Sequence, residues 1–180
     1  MTVRRILYRF RQFWKALFSA PVPEDLKVVS SVLSPEQMLL FQQMQRSEQA
    51  HSIQVMYTVL EAVNGRTSEH RQDLLAAALL HDVGKNRYPL RLWERVLIVL
   101  SRAFNPELVQ RWGEEEPTGW RRAFVVSERH PEWGAQMAAA AGASPLTEAL
   151  IRRHQMLLSD YQGDAEDEYL SILQSADHER

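Results

Sequence analysis

Apolar positions recur along this chain at the three- and four-residue spacing of an α-helix, and nowhere do they alternate over a useful length. In residues 1–20, Val3, Ile6, Leu7, Phe10, Phe13, Trp14, Leu17 and Phe18 fall on one helical face. Pro21 and Pro23 then stop the run. From Ser34 the helical pattern is nearly continuous. Ser34-Pro35-Glu36-Gln37 sets a capping serine before a proline at the first helical position, with Gln37 placed to complete a capping box. The helix it opens is expected to run to Val63 and close at Asn64-Gly65. Leu74 to Leu80 is apolar on every side, as a central buried helix requires. Further helices are expected over Leu90–Leu100, with a break at Asn105-Pro106, over Pro131–Ala141 up to Gly142, from Ser144-Pro145 onward, and over Glu166–Asp177. Gly113 to Gly119 is acidic and reads as a surface loop, while Phe124-Val125-Val126 is too short for a strand. The pattern predicts an all-α fold: a single compact domain over residues 34–180, preceded by a basic amphipathic helix and linker over residues 1–33.

Composition narrows the class. With 45% apolar and 24% charged residues in 180, the chain can bury a core. It has no cysteine, which removes disulfides, thiol nucleophiles and iron–sulfur clusters and fits a reducing compartment. No apolar run reaches the roughly 18–20 residues of a membrane-spanning helix. The net charge of −2 conceals an asymmetry: Arg4, Arg5, Arg9, Arg11 and Lys15 face no acid within residues 1–20, leaving 16 basic and 23 acidic residues in the other 160. An acidic body argues against nucleic acid as a partner, whether bound by charge alone or by sequence. The cationic, aromatic N-terminal helix suits peripheral contact with an anionic membrane surface. Packing on the domain's own surface and docking to a partner protein are the alternatives. A secretory signal is disfavoured because arginines interrupt every apolar stretch. The expected location is cytoplasmic, at the inner face of the membrane if residues 1–20 engage lipid.

The chemistry lies in histidine and aspartate. Of six histidines, His81 stands beside Asp82 at the end of the apolar run, followed by Val83-Gly84-Lys85. Burying an imidazole and a carboxylate there is costly unless something compensates them. A divalent cation does so directly, offsetting the carboxylate and using the imidazole lone pair. Gly84 is expected to permit a sharp exit from the helix, and Lys85 to place a cation beside the site. His51 lies in Gln49-Ala50-His51-Ser52, His130 in Glu128-Arg129-His130-Pro131-Glu132-Trp133-Gly134, His154 in Arg152-Arg153-His154-Gln155, and Asp177 in Gln174-Ser175-Ala176-Asp177. His70 and His178 read as structural or exposed, and Trp93, Trp112 and Trp120 as core or rim aromatics. Trp133 is the one aromatic close enough to a candidate ligand to border a pocket.

This ordered set resembles the HD superfamily of metal-dependent phosphohydrolases, in the variant often called HDIG, over about Gln37 to Asp177. The resemblance implies one or two divalent transition-metal ions: manganese, iron, cobalt, nickel or zinc. His51, His81, Asp82 and Asp177 would hold the first, and His130 and His154 the second, with Asp82 bridging. It implies cleavage of a phosphate ester or anhydride, with a nucleotide the expected small phosphorylated substrate, by attack of metal-activated water. Asp82 and Lys85 are the expected catalytic residues, and Lys85, Arg152, Arg153 and Gln155 the expected substrate contacts. Gln155 stands where many two-metal members carry another histidine, and the Gly-Tyr-Pro signature of cyclic di-GMP-degrading members is missing. A non-catalytic metal-binding sensor or scaffold, tethered by the N-terminal helix, is the alternative.

Overall fold

The computed structural model describes residues 20–64, 70–157, 161, 163 and 165–178. Among these the α-helices are, in chain order, α1 Pro23–Val32, α2 Pro35–Gln43, α3 Arg46–Ala62, α4 Arg71–Leu80, α5 Leu92–Phe104, α6 Pro106–Gly113, α7 Arg122–Ala140, α8 Pro145–Arg153 and α9 Ala165–His178, with short 3₁₀ turns at Val83–Arg87 and Gly119–Arg121. No strand occurs among the described residues. None of these helices is long and apolar enough to cross a membrane. The basic amphipathic helix expected over residues 1–20 lies, but for Ala20, outside the described residues.

Leu74 to Leu80 are all buried, so α4 must be wrapped on every side. It forms the axis of the domain, with α1, α2, α3, α8 and α9 packed around it. Ala135 and Ala138 of α7 join the same core. A second, smaller core sits under α5 and α6, where Leu90, Ile98, Val109, Ala123, Phe124 and Val126 meet.

The Ser34 cap forms as expected: its hydroxyl accepts from Gln37 N at 3.2 Å, and its N–H donates to the Gln37 amide oxygen at 3.1 Å. The helix it opens is nevertheless shorter than the pattern predicts. The chain turns extended at Met44 and restarts as α3. No glycine or proline marks this break; it is stabilised from a distance. Gln45 N–H donates to the Glu48 carboxylate at 3.2 Å, and Arg95 of α5 reaches Gln45 Oε1 at 2.8 Å and Glu48 at 2.6 Å. Residues 23–32, read above as linker, form α1 and bury Val29 in the core. The helix expected to begin at Pro131 instead begins at Arg122 and runs through that proline.

The α5 helix buries Ile98 in the second core but also carries apolar side chains on its outer face. Trp93, Val99, Leu100 and Phe104 face outward, while Glu94 is buried and paired with Arg122 of α7 at 2.7 Å. Burial would push the Glu94 carboxyl up, but Arg122 and the Arg91 N–H outweigh it and hold it below its ordinary value. The pair therefore contributes its stability above the ordinary carboxylate range and loses it as pH falls towards the depressed value. Arg122→Ala leaves a buried carboxylate without its partner and is expected to cost about 3–5 kcal/mol, measured by urea unfolding at neutral pH.

Candidate metal centre

Helix ends run out of backbone donors for their last carbonyls. His81 caps α4, and its Nδ1–H donates to the last-turn carbonyl of Ala78 at 2.9 Å. His154 caps α8 and donates from Nδ1 to Ile151 at 2.7 Å. His130 lies in the middle of α7, where its Nδ1 is 3.0 Å from the carbonyls of both Val126 and Ser127. A carbonyl can only accept, so each ring carries its proton on Nδ1 and presents a bare Nε2 lone pair. All three rings are buried, at 1%, 1% and 2% exposure, and none of the three Nε2 atoms has a hydrogen-bond partner. Their rings converge: His154 lies 5.2 Å between centroids from both His81 and His130, and His51 lies 5.4 Å from His81.

Two aspartates complete the cluster. Asp82 Oδ1 is 3.2 Å from His130 Nε2, and its Oδ2 is 3.7 Å from His81 Nε2. Asp177, arriving from the last turn of α9, places Oδ1 2.8 Å from His51 Nε2 and 3.7 Å from His81 Nε2. The ligand atoms thus fall into two groups, His51 with His81 and Asp177, and Asp82 with His130 and His154, each within 4.8 Å. Asp82, expected to bridge the two positions, groups by distance with His130 and His154 and reaches towards His81 through Oδ2. At Asp82 and His130 a carboxylate oxygen faces an imidazole lone pair, two acceptors with no proton of their own between them. Such a pair is satisfied by a cation.

The electrostatics agree. Burial opposes ionisation of Asp82, but the Lys85 ammonium beside it outweighs it and holds the carboxyl well below its usual range. Asp177 is likewise held low, against its burial, by the hydrogen bond to His51. Burial, then His130 and His81, lower the His154 imidazole to about 3, and burial lowers His130. His51 is instead raised, because Asp177 and Asp82 outweigh its burial. Ionised carboxylates and buried neutral imidazoles, with no thiolate, form a donor set suited to a divalent first-row ion. The residues present therefore fit a metal.

The surroundings hold this geometry. A Cβ at Gly84 would lie 2.0 Å from the His130 carbonyl oxygen, so the 3₁₀ turn that carries Asp82's neighbours touches the α7 backbone. Gly84 is therefore needed for close approach and not for a left-handed turn, since its φ is not positive. Lys85 donates to Asp82 Oδ2 at 2.6 Å. Outward from His154 and Asp177 opens a cleft of about 910 Å³ lined by Arg152, Arg153, Gln155, Glu132 and Arg102 among others. Arg152 is paired with Glu132 at 2.7 Å and Glu148 at 2.9 Å, and Arg153 with Asp167 and Glu166. His178 is exposed, as expected, and borders the cleft. Two residues that carried no signal in the sequence also contribute: Arg102 borders the cleft, paired with Glu128 at 2.7 Å, and Gln174 pins the segment after His154 by donating to the Met156 carbonyl at 2.9 Å. Trp133 does not line the cleft; it packs on Tyr88 at 5.4 Å with Arg87 over its ring.

A family model for the HD domain matches residues 49–179, about three-quarters of the chain. The chain belongs to the HD domain family. Comparison with curated proteins and with solved structures finds no match. The match begins just before His51 and ends just past Asp177, so the HD domain encloses both ligand groups, while α1 and α2 precede it. Membership places the chain in a superfamily of metal-dependent phosphohydrolases whose domains bind divalent metals.

Proposed function

We propose that this HD domain is a hydrolase of phosphate esters or anhydrides, with a nucleotide as the expected substrate, working with divalent ions held by His51, His81 and Asp177 and by Asp82, His130 and His154. The observation that carries the reading is the convergence of three buried imidazoles, each with its Nδ1–H spent on a backbone carbonyl and its Nε2 left without a partner. A bound divalent ion supplies Lewis acidity, lowering the pKa of water and drawing charge from a phosphoryl oxygen.

The chain's own groups do the rest. Asp82, held ionised, is the catalytic carboxylate, its Oδ1 turned to His130 and its Oδ2 to His81 and Lys85. Lys85, at 2.6 Å from Asp82 Oδ2, balances that carboxylate and is the cation assigned to the leaving oxygen. Gln155, and Arg152 where substrate displaces Glu132, orient phosphate oxygens along the cleft; a guanidinium presents the bidentate fork this needs. The apolar wall of α4 keeps water from reaching the cluster from behind.

A second reading, a metal-binding sensor or scaffold without turnover, is favoured by one observation: Lys85, Arg152 and Arg153 are all engaged by carboxylates. Elemental analysis of the purified full chain, followed by assay of generic phosphomonoesters and phosphodiesters and a nucleotide panel with manganese, separates the two. About two ions per chain, loss of turnover on chelation and recovery on adding manganese are the expected results. Tight metal binding with no turnover on any substrate selects the sensor. No metal under any loading condition overturns both.

A further inference from the structure

The α7 helix continues from Arg122 to Ala140 with Pro131 in its interior. Proline is the residue least suited to that position: it has no N–H, and the carbonyl four residues earlier is left without its helical donor. For Pro131 that carbonyl is Ser127, and it is not idle. The Nδ1 of His130 lies 3.0 Å from it. The other carbonyl within reach, Val126 at 3.0 Å, is the regular helical acceptor for His130's own backbone N–H and so is shared. Ser127 is the acceptor that the imidazole has to itself.

The comparison with the other two buried rings explains why this matters. His81 and His154 sit at helix ends, where the carbonyls of Ala78 and Ile151 belong to a last turn that has run out of backbone donors. His130 is in mid-helix, where every carbonyl would ordinarily be occupied. We propose that Pro131 is a positioning residue for His130: by withholding its N–H it reserves the Ser127 carbonyl for His130 Nδ1–H, which fixes the ring's tautomer and turns the bare Nε2 towards Asp82. One proline thus gives a mid-helix histidine what the others obtain from a helix terminus. The metal consequence rests on the reading above; the tautomer consequence does not.

Pro131→Ala in the full chain tests it, and because alanine suits a helix interior the variant is expected to fold and to melt higher than the parent. In metal-free protein at neutral pH, ¹⁵N NMR of labelled imidazoles should find parent His130 as the Nδ1–H tautomer. In Pro131→Ala the restored N–H competes for Ser127, and the ratio of the two tautomers should fall about tenfold. Titration with Mn²⁺ should show one of two affinities reduced about 10- to 100-fold, as for other changes to a partner of a ligating histidine, and the other little altered. A role in helix shape alone would move the melting temperature but not the tautomer. An unchanged His130 tautomer in Pro131→Ala overturns the proposal, whatever the Mn²⁺ titration gives. A parent chain that takes up no Mn²⁺ overturns the metal reading instead, and the tautomer result then stands for or against the role of Pro131 by itself.

Discussion

Asp82→Ala is expected to lose the metal held with His130 and His154, to weaken the one held with His51 and His81, and to cut hydrolysis about a thousandfold or more, while the helical content stays that of the parent. The size of the effect follows from what one side chain does. Asp82 is the one carboxylate of its ligand group, and its second oxygen is 3.7 Å from His81 Nε2 in the other. Removing a single electrostatic donor from a preorganised site already costs roughly 10²–10³ in rate; removing a ligand that reaches both groups goes beyond that. The charge balance worsens too, because Lys85, now 2.6 Å from Asp82, keeps its charge after its partner is gone and opposes a cation in the same space. Asp82→Asn keeps the volume and removes only the charge, so it should lose nearly as much activity. Asp177→Ala, by contrast, should spare the Asp82 group. Elemental analysis, steady-state rates with manganese and far-UV circular dichroism measure these outcomes together. An Asp82→Ala protein turning over at the parental rate would exclude the proposed chemistry.

The axis of the fold was legible because it is written locally: Leu74–Leu80 can only be a buried helix. The six histidine and aspartate residues were legible through their order, which resembles the HD pattern, and the structure gathers the same six into two groups. What escaped is what distant side chains decide. The break at Met44 carries no glycine or proline: Gln45 and Glu48 cap the restart, and Arg95, some fifty residues away, holds both of their side chains. The passage of α7 through Pro131 was hidden because its compensation comes from the His130 imidazole, invisible to a rule that reads proline as a helix start. The bridging place expected of Asp82 came from the family resemblance; its distances, 3.2 Å to His130 Nε2 and 3.7 Å to His81 Nε2, depend on how close two helices come, which order along the chain does not specify. Among the cations at the site, the Lys85 pairing with Asp82, three residues earlier, and the Arg152 pairing with Glu148, four residues earlier on one helix, had a sequence signature. Its tie to Glu132 and the tie of Arg153 to Asp167 both cross between elements.

The closeness of those two elements makes the second large prediction. In Gly84→Ala the new Cβ would stand 2.0 Å from the His130 carbonyl oxygen and 2.6 Å from Gly134 N. Both atoms are backbone in the middle of α7, so no side chain can swing aside; the 3₁₀ turn and α7 have to move apart. Overpacking a core costs about 1–3 kcal/mol where side chains can adjust. With backbone on both sides the cost should reach about 3 kcal/mol or more, a melting temperature lower by roughly 6–12 °C for a domain of this size. The separation has a second effect that a generic loss of stability would not produce. Asp82 leads into that turn and His130 is the residue pushed away, so the 3.2 Å between Asp82 Oδ1 and His130 Nε2 must open, and Mn²⁺ affinity should fall even at temperatures where the variant is fully folded. Gly134→Ala is the control. Its Cβ would meet Gly84 N and the Ile151 side chain at 3.2 Å, contacts that a few tenths of an ångström relieve, so it should melt within a few degrees of the parent. A Gly84→Ala protein as stable as Gly134→Ala would mean that the turn has room to spare, and that the fixed approach of Asp82 to His130 comes from elsewhere in the fold.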